Sequence, residues 1–407
     1  MAMKPVSEQL KVIQQGTVDL LPLDLLKEKL ARSVDTGKPL IVKQGFDPTS
    51  PDIHLGHTVG LRKLRQFQDL GHTVVFLIGD FTGLIGDPSG RTETRKRTSR
   101  EELVKNAETY AEQAFKVLDR KKTVIRHNSE WLSKLNFAEV LELSATQTVA
   151  RILERDDFHK RYAAHKPISL LEFMYPLAQG YDSVVLEADI ELGATEQKFN
   201  LLMAREIQKS FGQEPQVILT MPLLEGTDGV EKMSKSLGNY IGITEPPEEI
   251  FGKTMSIPDE LIGRYFELVS SKTPDELSAV EKKLDDAATN PSHLKRELAL
   301  DIITQYYDAA AAEKAQTHFD TVHVQHQVPD EIEELRLSGA ADGVWIVKAM
   351  TESGLCPSAS QARRMIQQGG VSVDGDKVTD IEHRLVKRRG AYTLKVGKRK
   401  FVAIRVA

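Results

Sequence analysis

What the chain lacks narrows it first. It has one cysteine, Cys356, in 407 residues, so no intramolecular disulfide can form and no two-cysteine zinc ligand set can be assembled. A reducing compartment is the natural expectation. No window supplies the ~18 apolar residues that a membrane span needs, and Lys4, Glu8 and Lys11 interrupt the start before an apolar h-region can build up. These absences predict a cytoplasmic protein with no membrane partner. No internal repeat is present. A composition of 40% hydrophobic and 28% charged residues excludes a disordered tail, a collagen or a small disulfide scaffold, and the length predicts two or three domains.

A large excess of one charge is also missing. The net charge is −5, from 54 basic and 59 acidic residues, and the molecule as a whole carries no nucleic-acid footprint. Its distribution says more. Residues 341–407 hold 13 Lys and Arg against 6 Asp and Glu, whereas residues 1–340 hold 41 against 53. A basic module is attached to an acidic body.

Two short β-branched runs closed by glycine, 38–46 and 73–79, flank a helix-like stretch from Leu55 to Leu70, which together make a βαβ unit. Further strands are expected at Thr123–Arg126, Ser183–Leu186 and Gln216–Thr220. The fold class is therefore α/β, a Rossmann-like doubly wound parallel sheet over residues 1–240 with a helical insertion at about 120–182. Residues 241–330 read as an all-helical domain, punctuated by Pro258, Pro274 and Asn290-Pro291, and 331–342 as a linker. Residues 343–407 read as a small α+β domain.

The first strand runs into Gly45-Phe-Asp-Pro-Thr49-Ser-Pro-Asp-Ile-His54-Leu-Gly56-His57. His54 and His57 share one side of a helical first turn, beside free backbone N–H groups and the positive end of the helix dipole. The pair suits an anion, though a helix cap or a metal pair would use the same spacing. Gly56 lets a planar ligand lie against the backbone. Far along the chain, Glu231-Lys232-Met233-Ser-Lys235-Ser sits in a glycine-flanked loop whose two lysines can close on a polyphosphate, or can simply form a solvated basic loop. Tyr175, Gln179 and Asp182 fall at i, i+4 and i+7, which puts a phenol, an amide and a carboxylate on one helical face among apolar neighbours.

His-Leu-Gly-His after the first strand and Lys-Met-Ser-Lys-Ser after the last form the motif pair of class I aminoacyl-tRNA synthetases, and the chain resembles that family. The Tyr-x-x-x-Gln-x-x-Asp pattern is similar to that of the tyrosyl-tRNA synthetases, a resemblance that covers essentially the whole chain. It implies ligation of tyrosine to tRNA(Tyr) by way of tyrosyl-adenylate, with L-tyrosine, ATP and Mg2+ as the small molecules and a homodimer as the assembly. It places Tyr175, Gln179, Asp87 and Gln197 around the tyrosine, with Thr82 close by and Asp182 accepting the phenol proton. It places Thr49 and His54 on the γ-phosphate side and His57 near the ribose. Lys232 and Lys235 close on the leaving group, Arg91 and Arg95 contact pyrophosphate, and Gly56 and Met233 line the ATP site. Glu196, in Gly193-Ala-Thr-Glu-Gln197 where the family has Gly-Gly-Ser/Thr-Asp-Gln, is its ribose residue. The departures matter too. Lys43 stands where many tyrosyl enzymes have a tyrosine that shares the substrate hydroxyl with the aspartate, and Gln44 replaces a common cysteine. The residue opposite Asp182 is thereby left unidentified.

The helical domain is implied to bind the anticodon end of tRNA. Residues from Ile346 onward resemble an S4 RNA-binding domain, with a serine-led helix, Gly369-Gly370 and a hairpin turning at Asp374-Gly375. Arg363, Arg364, Lys387, Arg388 and Arg389 are its candidate phosphate contacts, and Lys398, Arg399 and Lys400 a second group. A tryptophanyl enzyme, a small nucleotidyltransferase and a non-catalytic RNA-binding descendant are the competing readings.

Overall fold

The computed structural model describes residues 3–48, 52–87, 100–286, 288–324, 334–337, 343–388, 390–397 and 400–406. Thr49, Arg91, Arg95, Arg389, Lys398 and Arg399 lie outside the described residues. The chain divides into two compact units, 1–312 and 313–407.

The first unit begins with α1 (Val6–Gln14), β1 (Asp19–Leu21) and α2 (Leu23–Thr36), then enters the sheet at β2 (Ile41–Phe46). Helix α3 (Leu55–Leu70) leads to β3 (Thr73–Ile78), and α4 (Thr82–Ile85) and α5 (Arg100–Ala114) precede β4 (Thr123–His127). Helices α6 (Ser129–Leu132), α7 (Phe137–Ala145), α8 (Val149–Ile152), α9 (Asp156–Ala163) and α10 (Leu170–Val185) follow, then β5 (Ile190–Ala194), α11 (Lys198–Ser210) and β6 (Val217–Met221). The strand order is β1-β6-β5-β2-β3-β4, parallel throughout except that β1 runs against β6. The chain leaves β2 toward β3 on one side, and β5 arrives on the other. The crevice above the carboxyl ends of β2 and β5 is therefore a topological switch point, where ligands collect in open α/β sheets.

Apolar spacing sets α3 against that sheet. Leu61, Leu64 and Phe67 are fully buried, and Gly71 ends the helix in the left-handed region at φ 96°. On the same helix, buried Lys63 donates to the carbonyls of Val12, Ile13 and Gln15 at 3.0, 3.1 and 2.7 Å. These carbonyls lie at the end of α1, where intrahelical donors run out, so one side chain ties the N-terminal helix to the helix whose first turn carries the two histidines.

One expected strand is wrong. Ser183–Leu186 is the last turn of α10 and its cap, because the helix opened by the Ser169/Glu172 capping box keeps its apolar periodicity through Val184, and four residues are too few to override it. The strand is Ile190–Ala194 instead. Glu191, 1% exposed, interrupts the apolar run by which a buried strand is read. The other expected strands and the helix Leu55–Leu70 are present.

After β6 the chain is helical through α12 (Pro247–Ser256), α13 (Ile262–Val269), α14 (Pro274–Asp285), α15 (Pro291–Tyr306) and α16 (Ala309–Phe319), the last of which crosses the boundary between the two units. Pro274 and Pro291 sit at the first helical positions, with Thr273 and Asn290 as caps. The second unit contains a five-stranded sheet, a two-stranded sheet and the helices α17 (Ile346–Glu352) and α18 (Ala359–Gln367), packed on a core that includes Ile346, Met350, Ile366, Leu394 and Ile404. Its hairpin turns where expected, with Asp374 and Gly375 at φ 52° and 94°.

Candidate active site

The switch-point crevice opens into a cleft of about 570 Å3 whose wall includes His54, Gly56, His57, Tyr175, Gln179 and Met233. Backbone pairing makes the two sequence motifs one surface. Leu55 donates to the Ile241 carbonyl at 2.9 Å and Ile243 to that of Ile53 at 3.1 Å. Gly56 N–H points at Met233 Sδ, 3.3 Å away and 177 residues later. A side chain at Gly56 would meet the His54 ring at 3.1 Å and Met233 at 3.5 Å, so glycine keeps this face flat.

His54 is the N-cap of α3, and its ring stacks on that of His57 with centroids 3.8 Å apart. His57 Nδ1 accepts from the His54 backbone N–H at 3.3 Å. That bond puts the ring proton on Nε2, which lies 3.3 Å from the Tyr110 hydroxyl. Burial lowers the pKa of His54 to about 4, and burial together with the His54 ring holds His57 well below its usual value. Both rings are neutral near pH 7. His54 Nδ1 is buried and has no hydrogen bond among the described residues. It is a polar atom without a partner in the wall of a polar cleft.

Lys232 lines the same cleft, and both motif lysines are engaged. Lys232 pairs with Glu196 at 2.8 Å and Lys235 with Asp52. Asn239 clamps the loop, its amide donating to Asp228 and its Oδ1 accepting from Ser234 N–H at 2.8 Å.

Helix α10 supplies the far wall. Tyr175, Gln179 and Asp182 share one face, as the spacing implied, and each enters a network. The Tyr175 hydroxyl donates to Asp47 at 2.9 Å, and Asp47 also accepts from Thr82 at 2.7 Å. Asn128 donates to Thr82 at 2.9 Å and to Asp182 at 3.2 Å, and Trp131 Nε1 donates to the other Asp182 oxygen at 2.8 Å. Burial raises the Asp182 pKa to about 7, although Lys43, Trp131 and Asn128 pull against it. Gln179 belongs to a second chain, accepting from Asn200 at 3.0 Å and donating to Glu191 at 3.2 Å. Gln197 donates to Asp87, which also pairs with Arg155 at 3.5 Å.

Sequence reasoning gave Asp47 no role and did not name Asn128, Trp131, Arg155, Asn200, Tyr110 or Glu191 for the site. Asp47 alone had a signal, since it lies within the Gly-Phe-Asp-Pro-Thr segment that leads to His54. In the second unit Arg363, Arg364, Lys387 and Arg388 are exposed. Arg363 lies over the Trp345 ring at 5.2 Å. Arg388 lies over Tyr392 at 3.7 Å and pairs with Asp374 at 2.6 Å. Lys400 donates to the Leu355 carbonyl at 3.1 Å.

No helix among the described residues is long and apolar enough to cross a membrane. Residues 35–323 match the family described as tRNA synthetases class I (W and Y), and residues 344–387 match the S4 domain. The chain is 53% identical to the tyrosine–tRNA ligase of Moorella thermoacetica over 98% of its length and 96% of that protein's. It is 54% identical to that of Geobacter sulfurreducens over 99% of its length and all of that protein. Among solved structures it resembles a tyrosyl-tRNA synthetase from Archaeoglobus fulgidus complexed with L-tyrosine (TM-score 0.62, 21% identity, 76% of this chain and 99% of that one). It also resembles a truncated mitochondrial tyrosyl-tRNA synthetase from Aspergillus nidulans (TM-score 0.64, 21% identity, 77% and 93%). With two interlocked motifs, a polar face on α10 and full-length relatives in agreement, the chain belongs to the class I tyrosyl-tRNA synthetases, the tyrosine–tRNA ligases.

Proposed function

We propose that this chain charges tRNA with tyrosine through a division of labour between the two walls of the cleft. The observation that carries it is the placement of Tyr175, Gln179 and Asp182 on one face of α10, with Tyr175 and Gln179 lining the same cleft as His54, Gly56, His57 and Met233 and Asp182 buried one turn further along. Tyrosine lies along α10, its ammonium toward Tyr175, Gln179, Asp87 and Gln197 and its hydroxyl toward Asp182. Each Asp182 oxygen accepts one protein hydrogen bond, which leaves acceptor capacity for a phenol proton. Phenylalanine would leave that carboxylate buried without the partner it is shaped for.

The tyrosine carboxylate attacks the α-phosphate of ATP, the bond to the β-phosphate breaks, and pyrophosphate leaves. No protein nucleophile takes part, so the side chains position and stabilise charge. His54 Nδ1 would take up a phosphate oxygen, His57 lies toward the ribose, and Lys232 and Lys235 transfer from Glu196 and Asp52 to the departing pyrophosphate. Thr49, Arg91 and Arg95 keep their phosphate roles on sequence grounds alone. Imidazoles and lysines fit phosphate oxygens rather than a bare cation, so Mg2+ would arrive on ATP and offset its charge there. The terminal ribose hydroxyl of tRNA(Tyr) then takes the tyrosyl group and AMP leaves. Residues 241–330 would bind the anticodon end, and Arg363, Arg364 and Lys387 the tRNA backbone, in the cytoplasm.

Exchange of labelled pyrophosphate into ATP, without tRNA, tests the reading. It should require tyrosine and fail with phenylalanine; exchange driven by tryptophan would overturn the pocket, and no exchange at all would favour a non-catalytic RNA-binding protein.

Lys235→Ala should slow adenylate formation by ~100-fold or more, as expected for a group that acts on developing charge, while the tyrosine dissociation constant stays within about twofold. Pre-steady-state fluorescence or quenched flow separates the two, and equal losses would refute the role.

Asp182 must be ionised to accept the phenol proton. Its pKa is raised to about 7, so the competent form is lost as pH falls through 7. The KM for tyrosine should rise by ~10-fold from pH 8 to pH 6. A flat KM profile over that range would contradict the assignment.

The homodimer is proposed through the inserted helices, where Phe137, Leu141, Val149 and Leu170 are 77, 54, 61 and 81% exposed. Sedimentation should give twice the chain mass at micromolar concentration; a monomer there removes the proposal.

A further inference from the structure

The phenol end of the pocket has an acceptor in Asp182 but lacks an identified donor. Resting on the reading of α10 as the tyrosine wall, the structure offers a candidate directly across the switch point. Lys43 is on β2, in register with Glu191 on β5. Both are sealed from solvent, at 0% and 1% exposure, and Lys43 Nζ lies 2.9 Å from a Glu191 oxygen. That contact is an ion pair without hydrogen-bond geometry. Lys43 Nζ has no hydrogen bond among the described residues.

Glu191 cannot turn to improve the match. Its carboxylate accepts from Gln179 and Ser183 of α10, both at 3.2 Å, and from Gln216 just before β6. It is held from three sides, and the lysine takes what is left. An ammonium carries three N–H donors and is strongly hydrated in water. Burying it with none of them used is costly, and a methionine of similar length would fill the space without that cost. Glu191 supplies the countercharge but not the missing acceptor. No acceptor for it comes from the described residues, which leaves the place open to a bound molecule.

Alternation along β2 decides where it would enter. Gln44 packs on the α3 side, against Gly60. Lys43 therefore faces the α10 side, where its charge acts on Asp182. We propose that Lys43 is a specificity-determining residue for the para-hydroxyl of tyrosine: its ammonium donates to the phenol oxygen while Asp182 accepts the phenol proton, and Glu191 holds the lysine in place. The phenol is then read twice, once as an acceptor and once as a donor. A para-amino ring, which donates but accepts poorly, satisfies Asp182 and not Lys43.

Pyrophosphate exchange on the full chain tests this with tyrosine, phenylalanine and 4-aminophenylalanine. The variants are Lys43→Met, Asp182→Asn, and Lys43→Met with Glu191→Gln, which removes both charges so that no carboxylate is left buried alone. The kcat/KM ratio of tyrosine to phenylalanine should fall by roughly 10- to 100-fold in Lys43→Met. It should fall as far in the double variant, and in both the penalty for 4-aminophenylalanine relative to tyrosine should shrink. If Lys43 only props up the sheet, tyrosine and phenylalanine lose activity together and the ratio stays at the parental value, which overturns the inference. So does a double variant that folds and regains the parental ratio. A collapsed ratio in Asp182→Asn with an unchanged ratio in the lysine variants sinks the lysine role alone. An unchanged ratio in Asp182→Asn sinks the pocket reading, and the inference falls with it.

Discussion

The site depends on keeping charged groups buried and still usable, and Glu191 is where that constraint is met. Its carboxylate joins β2 through Lys43, α10 through Gln179 and Ser183, and the entry to β6 through Gln216. A buried ion pair seldom stabilises a fold better than apolar residues of the same volume. Its use here is geometric: it fixes the spacing between two parallel strands and one helix at the point where the strand order reverses. The pocket on that side of the sheet inherits its shape from this joint.

The polar order around the site forms two chains. One runs from Glu191 through Gln179, Asn200 and Gln197 to Asp87; the other, separate from it, joins Tyr175, Asp47, Thr82, Asn128 and Asp182. Each side chain is oriented by the next, so few can turn independently. That is the supporting layer a binding site needs if its polar groups are to meet a ligand without first reorganising.

Local signals were legible from residue order alone. Apolar periodicity and a terminal glycine delimit α3, so His54 and His57 could be placed on its first turn; the i, i+4, i+7 spacing put Tyr175, Gln179 and Asp182 on one face; Asp374-Gly375 announces its hairpin. What escaped was tertiary. Asn128 and Trp131 reach Asp182 from more than 50 residues away, and nothing in their own neighbourhood marks them. Strand β5 was missed because Glu191 looks like a surface residue until its partners are known, and Ser183–Leu186 looked like a strand because four residues cannot show a helical period. Lys43 read as a departure from a family pattern for the same reason. Its meaning depends on the strand beside it.

The two motif lysines are paired with Glu196 and Asp52. Both pairs are between a quarter and a half exposed, so each is screened and worth little by itself. They still change how the loop meets its surroundings. A bare pair of ammonium groups at the mouth of a cleft would attract any polyanion, including the backbone of the tRNA that must approach the same cleft. With a carboxylate beside each, a ligand that brings several negative oxygens to both lysines at once displaces both rivals together, whereas a lone phosphodiester competes with a resident carboxylate at each lysine it meets.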